Sequence, residues 1–195
     1  MKFFYRSLEL TIPETVYDPS EDSLLLADLL EREDLAQKDV LDMGCGSGLL
    51  SILCAAKHAQ VTAVDVNPKA VQATKENAKK NHVPVMVLQS DLFSRVHGTF
   101  DLILFNAPYL PTAPDDDDAR WSGGENGRDA IERFAATAMP FLKPSGKILL
   151  AISSLTGEQE VTSLFEQQNF SIRVATRQKI AWEELIVIEC RTDAF

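Results

Sequence analysis

An α/β fold on a mostly parallel sheet is predicted by three observations. Short apolar runs alternate with helix-like stretches through the first half of the chain. A glycine-rich turn, Gly44-Cys45-Gly46-Ser47-Gly48, joins the first of those runs to a helix. The chain then closes on two apolar runs separated by a few residues. Strands alternating with helices bury both faces of a parallel sheet, so the strands read as near-continuous apolar segments.

The elements follow in order. Residues 20–32 predict a helix, with Ser20 as its cap and Leu24, Leu25, Leu29 and Leu30 at helical spacing. Residues 40–45, 61–66, 85–89 and 100–105 are rich in Val, Ile, Leu and Phe and predict strands. Helices are expected over 49–58 and 68–81; the second opens on Asn67-Pro68, an Asn cap with Pro at the first helical position. Residues 106–127 form a long polar stretch with Asp115 to Asp118 and three glycines, and a loop of that length is usually functional or disordered. A helix over about 128–140 stops near Pro140, followed by a strand at 146–153 and a helix at 157–168. Runs 171–177 and 183–190 complete seven strands as an antiparallel hairpin at a sheet edge. No linker or repeat divides the chain, so one domain is expected over 1–195, with 1–35 as an N-terminal extension and first helix.

Composition narrows the classes. With 195 residues, 45% hydrophobic and 25% charged, the chain can bury a substantial core in the manner of a soluble globular protein. No apolar run approaches the ~18 residues of a membrane span. The start, Met1-Lys2-Phe3-Phe4-Tyr5-Arg6, lacks the apolar core of a signal peptide, so a cytoplasmic location is expected. A net charge of −10 argues against direct nucleic-acid binding, which depends on neutralising phosphates. Cys45, Cys54 and Cys190, like His58, His82 and His97, are too scattered for a disulfide framework or a metal site.

Two constellations carry chemistry. Around the glycine turn, the spacing is G-x-G-x-G, with Leu49 where a dinucleotide fingerprint has its third glycine and with Asp42 just ahead. No Lys-Ser/Thr ending marks a phosphate loop. Asp65, 19 positions after Gly46 and followed by Val66, stands where an acid can accept both ribose hydroxyls of a nucleoside. Asp91, followed by Leu92, ends the third strand, where an acid faces an adenine amino group. Any one of these acids could be a helix cap or a solvated turn, but together they resemble the S-adenosylmethionine site of class I methyltransferases. The second constellation is Asn106-Ala107-Pro108-Tyr109 at the end of an apolar strand. Asn and Pro favour plain turns. Beside such a loop, however, a carboxamide, a backbone carbonyl and an aromatic ring suit gripping a flat nitrogen-bearing group for methyl transfer.

These motifs, with Val16-Tyr17-Asp18-Pro19-Ser20-Glu21-Asp22-Ser23 and Trp121-Ser122-Gly123-Gly124-Glu125-Asn126-Gly127-Arg128, resemble the HemK-type glutamine methyltransferases. The likeness is to their short archaeal and eukaryotic branch, acting on the Gly-Gly-Gln glutamine of class I translation release factors. It covers roughly residues 14 to 190 and implies a Rossmann-like class I methyltransferase fold with S-adenosylmethionine as cofactor. It implies cofactor contacts from Tyr17, Pro19, Glu21 and Asp22, which otherwise read as a helix N-terminus with acids favoured by its dipole. Further contacts are implied from Asp42, Gly44, Cys45, Gly46, Gly48, Asp65, Val66, Asp91, Leu92 and Asn106.

Asn106 and the Ala107 carbonyl become acceptors of the amide N–H bonds, with Pro108 and Tyr109 completing the clamp. Ala107 departs from the family's first proline; it keeps the carbonyl and loses rigidity. About 35 residues precede the first core strand, too few for the N-terminal helical domain of bacterial members. The branch also pairs with a small zinc-binding activator protein along the edge strand. Here that is the apolar run at 83–89, unless a loop or residues 1–12 cover it. Three other readings stay open: an RNA or DNA amino-methyltransferase, since a base amine is also a planar nitrogen; a protein lysine methyltransferase; and a cofactor-binding scaffold without activity.

Overall fold

A computed structural model describes residues 1–108 and 128–192. Tyr109, Asp115 to Asp118 and Trp121 to Gly127 lie outside the described residues. The seven-stranded sheet contains β3 (Asp39–Met43), β4 (Gln60–Asp65), β5 (Val85–Gln89), β6 (Phe100–Asn106), β7 (Leu142–Ser153), β8 (Phe170–Lys179) and β9 (Glu184–Thr192). Its order is β5-β4-β3-β6-β7-β9-β8. The first five are parallel, and β9 runs antiparallel between β7 and β8. This is the expected Rossmann-like α/β sheet with its antiparallel C-terminal hairpin.

Alternate residues of the central strands feed two cores. Val40, Leu102 and Leu104 face one side with Leu26 and Leu30 of α1 (Glu21–Arg32) and Ile52 of α2 (Leu49–Ala56). Ala70 and Ala73 of α3 (Pro68–Lys80) join them. Leu41, Met43, Ile103 and Phe105 face the other side with Phe134 of α4 (Asp129–Ala138) and Phe165 of α5 (Glu158–Glu166). Burial on both faces is why these strands show no polar alternation. Phe134 packs tilted against Phe105, ring centroids 4.7 Å apart, fixing α4 over the strand that ends in Asn106.

Four local expectations need correction. Residues 1–12 are not a bare extension: β1 (Lys2–Tyr5) and β2 (Leu8–Thr11) form a hairpin. It does not cover β5. Its free edge docks on α3, where Asn77 and Asn81, one helical turn apart, each bond both the N–H and the C=O of Thr11 and Glu9 at 2.8–3.1 Å. Among the described residues, β5 pairs only with β4. Ser20 occupies the cap position of α1, but its hydroxyl donates to the Glu21 carboxylate and makes no cap bond. Asn67 does cap α3, accepting from the Lys69 N–H at 2.9 Å. The strand expected at 146–153 starts at Leu142, because Gly146 lets it approach Phe100; a Cβ there would meet the Phe100 carbonyl at 2.9 Å. The helix expected over 128–140 ends at Ala138, and Pro140 sits in the 3-10 turn that follows.

Candidate functional site

Parallel strands β3, β4, β5 and β6 end together, and open α/β sheets offer their ligand crevice at those ends. A cavity of about 860 Å³ lies there. From β3 the chain turns into α2 through Gly44 to Gly48. Gly48 has φ +88°, and a Cβ there would lie 3.0 Å from the Thr74 side chain, so glycine is required on both counts. Gly46, at φ +53°, lines the cavity with no heavy atom within 4 Å of where a Cβ would stand, leaving room for a ligand against the backbone.

Side chains of α3 hold this loop. Thr74 donates to the Gly46 carbonyl at 3.0 Å, and Asn77 donates to the Ser47 carbonyl at 2.9 Å. Cys45 is turned into the core with Ala63, Val71 and Val87, and burial pushes its thiol pKa well up. It is no nucleophile, since the thiolate is the reactive form.

Carboxylates dominate the cavity wall. Asp65, at the end of β4, accepts from the Gly46 N–H at 2.9 Å and the Asn67 N–H at 2.8 Å. Burial raises its pKa above the usual carboxylate range. Asp42 is fully buried and accepts from the Ser51 hydroxyl; burial raises its pKa to about 7, and neighbouring Asp65 adds to the rise. Asp91 is 54% exposed and forms an ion pair with Arg133 of α4 at 2.6 Å. Glu14, Asp22, Asp42, Asp65 and Asp91 face a single cation, Arg133, among the described lining residues. Such a wall favours a positively charged ligand and disfavours a pyrophosphate.

The second constellation sits at the end of β6. Asn106 lines the cavity with Ala107 and Pro108. Its Nδ2 donates to Ser23 Oγ at 3.1 Å, whereas its Oδ1 is buried with no hydrogen-bond partner among the described residues. Ser23 donates through its hydroxyl to Asp22 Oδ1 at 3.1 Å, and the Tyr17 hydroxyl donates to Asp22 Oδ2 at 2.8 Å. A buried acceptor left unanswered is rare in folded proteins and points to function or a missing ligand.

The sequence-predicted residues divide accordingly. Tyr17, Pro19, Asp22, Asp42, Gly44, Cys45, Gly46, Asp65, Val66, Asp91, Leu92, Asn106, Ala107 and Pro108 all line this one cavity. Glu21 is exposed and, with Gly48, stands outside the lining. Tyr109 lies outside the described residues. Sequence reasoning missed Ser23, Thr74, Asn77 and Arg133, whose partners are 28 to 83 positions away. Only Ser23 carried a signal, standing at the end of the Tyr17 to Ser23 motif.

The family model described as methyltransferase small domain matches residues 17–180. A Methanocaldococcus jannaschii protein named as a protein N5-glutamine methyltransferase is 43% identical over 93% of this chain and 94% of its own length. Methyltransferase HEMK2 of Mus musculus is 32% identical over 89% of this chain and 88% of its own length. Among solved structures, a chain of the E. cuniculi Mtq2-Trm112 complex, responsible for methylation of the eRF1 translation termination factor, superposes with a TM-score of 0.77. It is 28% identical, and the match covers 92% of this chain and 99% of that one.

Proposed function

The chain belongs to the methyltransferase small domain family, and we propose that it methylates the side-chain amide of the glutamine in the Gly-Gly-Gln motif of a class I translation release factor. The observation that carries this reading is the buried Oδ1 of Asn106, without a partner among the described residues, beside Ala107 and Pro108 in an acid-lined cavity. The names of the relatives support the amide of a release-factor glutamine as the acceptor.

S-adenosylmethionine, when bound, supplies an electrophilic methyl on a sulfonium leaving group. The residues present fit it: the carboxylates of Asp42 and Asp65 suit its positive charge and ribose hydroxyls, and open Gly46 suits close approach. Asp91 would receive the adenine amino group. Tyr17, Pro19 and Asp22 would close over the cofactor from the start of α1.

The chain's own work lies in the amide. Its nitrogen is a poor nucleophile because its lone pair is shared with the carbonyl. Asn106 Oδ1 and the Ala107 carbonyl would accept its two N–H bonds and concentrate charge on nitrogen as it attacks. Holding that nitrogen in line can remove several kcal/mol, on the order of 7 or more, from the barrier. Tyr109 would pack against the amide plane. The extra proton can leave after transfer, when the nitrogen is far more acidic, so no histidine base is needed.

We also read 1–195 as one catalytic domain acting in the cytoplasm. No helix among the described residues is long and apolar enough to cross a membrane, which is compatible with that reading. The outer edge of β5 would take a small zinc-binding activator protein. Its apolar row, with Met86 62% exposed, and the Trm112 complex of the structural neighbour support a small partner.

The test is methyl transfer from labelled S-adenosylmethionine to a class I release factor, with and without such a partner. Labelling that disappears with Asn106→Ala supports the reading; labelling indifferent to that change refutes the clamp.

A further inference from the structure

A carboxamide is nearly symmetric in shape but not in chemistry: one end accepts and the other donates. Turned the wrong way, Asn106 would present an NH₂ group to a substrate that also brings N–H bonds, and the clamp would repel what it must hold. The orientation is therefore decisive, yet nothing in the strand that carries Asn106 sets it. Among the described residues the one hydrogen-bond partner of the carboxamide is Ser23 Oγ, 83 positions earlier in the chain, at 3.1 Å.

Ser23 has one hydroxyl proton, and it goes to Asp22 Oδ1 at 3.1 Å. A carboxylate can only accept, and this one also receives the Ser23 N–H and the Tyr17 hydroxyl. With its proton committed, Ser23 Oγ has only lone pairs to offer, and the group that can meet a lone pair is the Nδ2 end of Asn106. We propose that Ser23 is a positioning residue: by accepting from Asn106 Nδ2, it fixes the carboxamide with Oδ1 free for the substrate amide. The polarity runs one way, from Asp22 through Ser23 to Asn106. Burial of Asp22 and Ser23, 3% and 5% exposed, keeps water from relaxing it.

This inference rests on the amide-clamp reading of Asn106. It gives the Tyr17 to Ser23 segment a second task besides covering the cofactor, and it explains why that segment must meet the end of β6.

Steady-state methylation of the release factor by Ser23→Ala and Ser23→Thr, beside calorimetric titration with S-adenosylmethionine, tests it. Ser23→Ala is expected to lower kcat about tenfold, the rate equivalent of one net hydrogen bond. KM for the release factor should stay as in the wild type, and because Ser23 also lines the cofactor cavity, any rise in Kd for S-adenosylmethionine should be smaller than the loss of kcat at saturating cofactor. Ser23→Thr, which keeps the hydroxyl, should recover at least half of the lost rate. A wild-type kcat in Ser23→Ala overturns the proposal. So does a rate loss that follows weakened cofactor binding, or one equally large in Ser23→Thr. A wild-type chain that labels no glutamine at all would instead remove the clamp reading beneath it.

Discussion

At Asn106 one buried acceptor has no partner among the described residues, a cost on the order of 1–3 kcal/mol that stability alone would not retain. Asn106→Ala should therefore leave the melting temperature unchanged or raised, and lower kcat by about 10² to 10³, as for loss of a preorganised polar group. Circular dichroism melts and single-turnover methylation check the two halves. Asp42 makes a pH prediction. Its folded pKa of about 7 exceeds the ordinary aspartate value of 3.8, so between those values the native chain keeps a proton that the unfolded chain has released. Ionising Asp42 thus costs stability progressively as pH rises from about 4 to 7. Asp42→Asn, with the neutral shape already in place, should gain stability relative to wild type as pH rises from 5 to 8. Urea titrations that give a pH-independent difference would contradict this. The glycine turn, Asp65 and Asn106 were legible in the sequence because strand ends and spacing define them. Ser23's part was not, because it depends on a contact across 83 positions.

Between elements, α3 is the strut. Asn77 joins β2 to the glycine turn: it binds Thr11 through both backbone groups and donates to the Ser47 carbonyl. Asn77→Ala would strand these groups at a cost of about 2–3 kcal/mol. In a domain of this size that lowers the melting temperature by roughly 4–12 °C. Because Ser47 stands in the turn, S-adenosylmethionine affinity should fall as well, which calorimetry would read. An Asn77→Ala chain that melts and binds like wild type would show that the strut carries no load. The hairpin was invisible in the sequence for the same physical reason. Its strands have four residues each, and its support comes from Asn77 and Asn81, which read locally as ordinary helix residues. The Pro68 and Asn67 start of α3 was readable because a cap is a local interaction. Ser20 shows the limit of that rule, since its hydroxyl turned to Glu21 instead.

Across the whole molecule, the order β5-β4-β3-β6-β7-β9-β8 leaves β5 and β8 as outer strands. The two differ in character: β8 carries charged residues such as Arg173 and Arg177, paired to Glu189, Glu158 and Glu184, whereas β5 exposes Met86. Charge protects an edge strand and an apolar row invites a partner. Met86→Glu should abolish association with the small activator protein in gel filtration while leaving the chain's own melting temperature within about 1–2 °C, as surface changes usually do. Retained association would move the partner elsewhere. The parallel core and the terminal hairpin were legible because apolar runs and helical spacing alternate so regularly. That β9 would lie inside β8 depends on pairing with β7, which no local pattern encodes. All three scales meet at one point: a carboxamide held in one orientation, at a strand end braced by α1 and α4, methylates a glutamine amide. Fragmentation mass spectrometry of a class I release factor incubated with the chain, its partner and S-adenosylmethionine tests this most directly. One methyl group is expected on the side-chain nitrogen of the Gly-Gly-Gln glutamine. A factor that stays unmodified while RNA or DNA in the same reaction takes the label would contradict it.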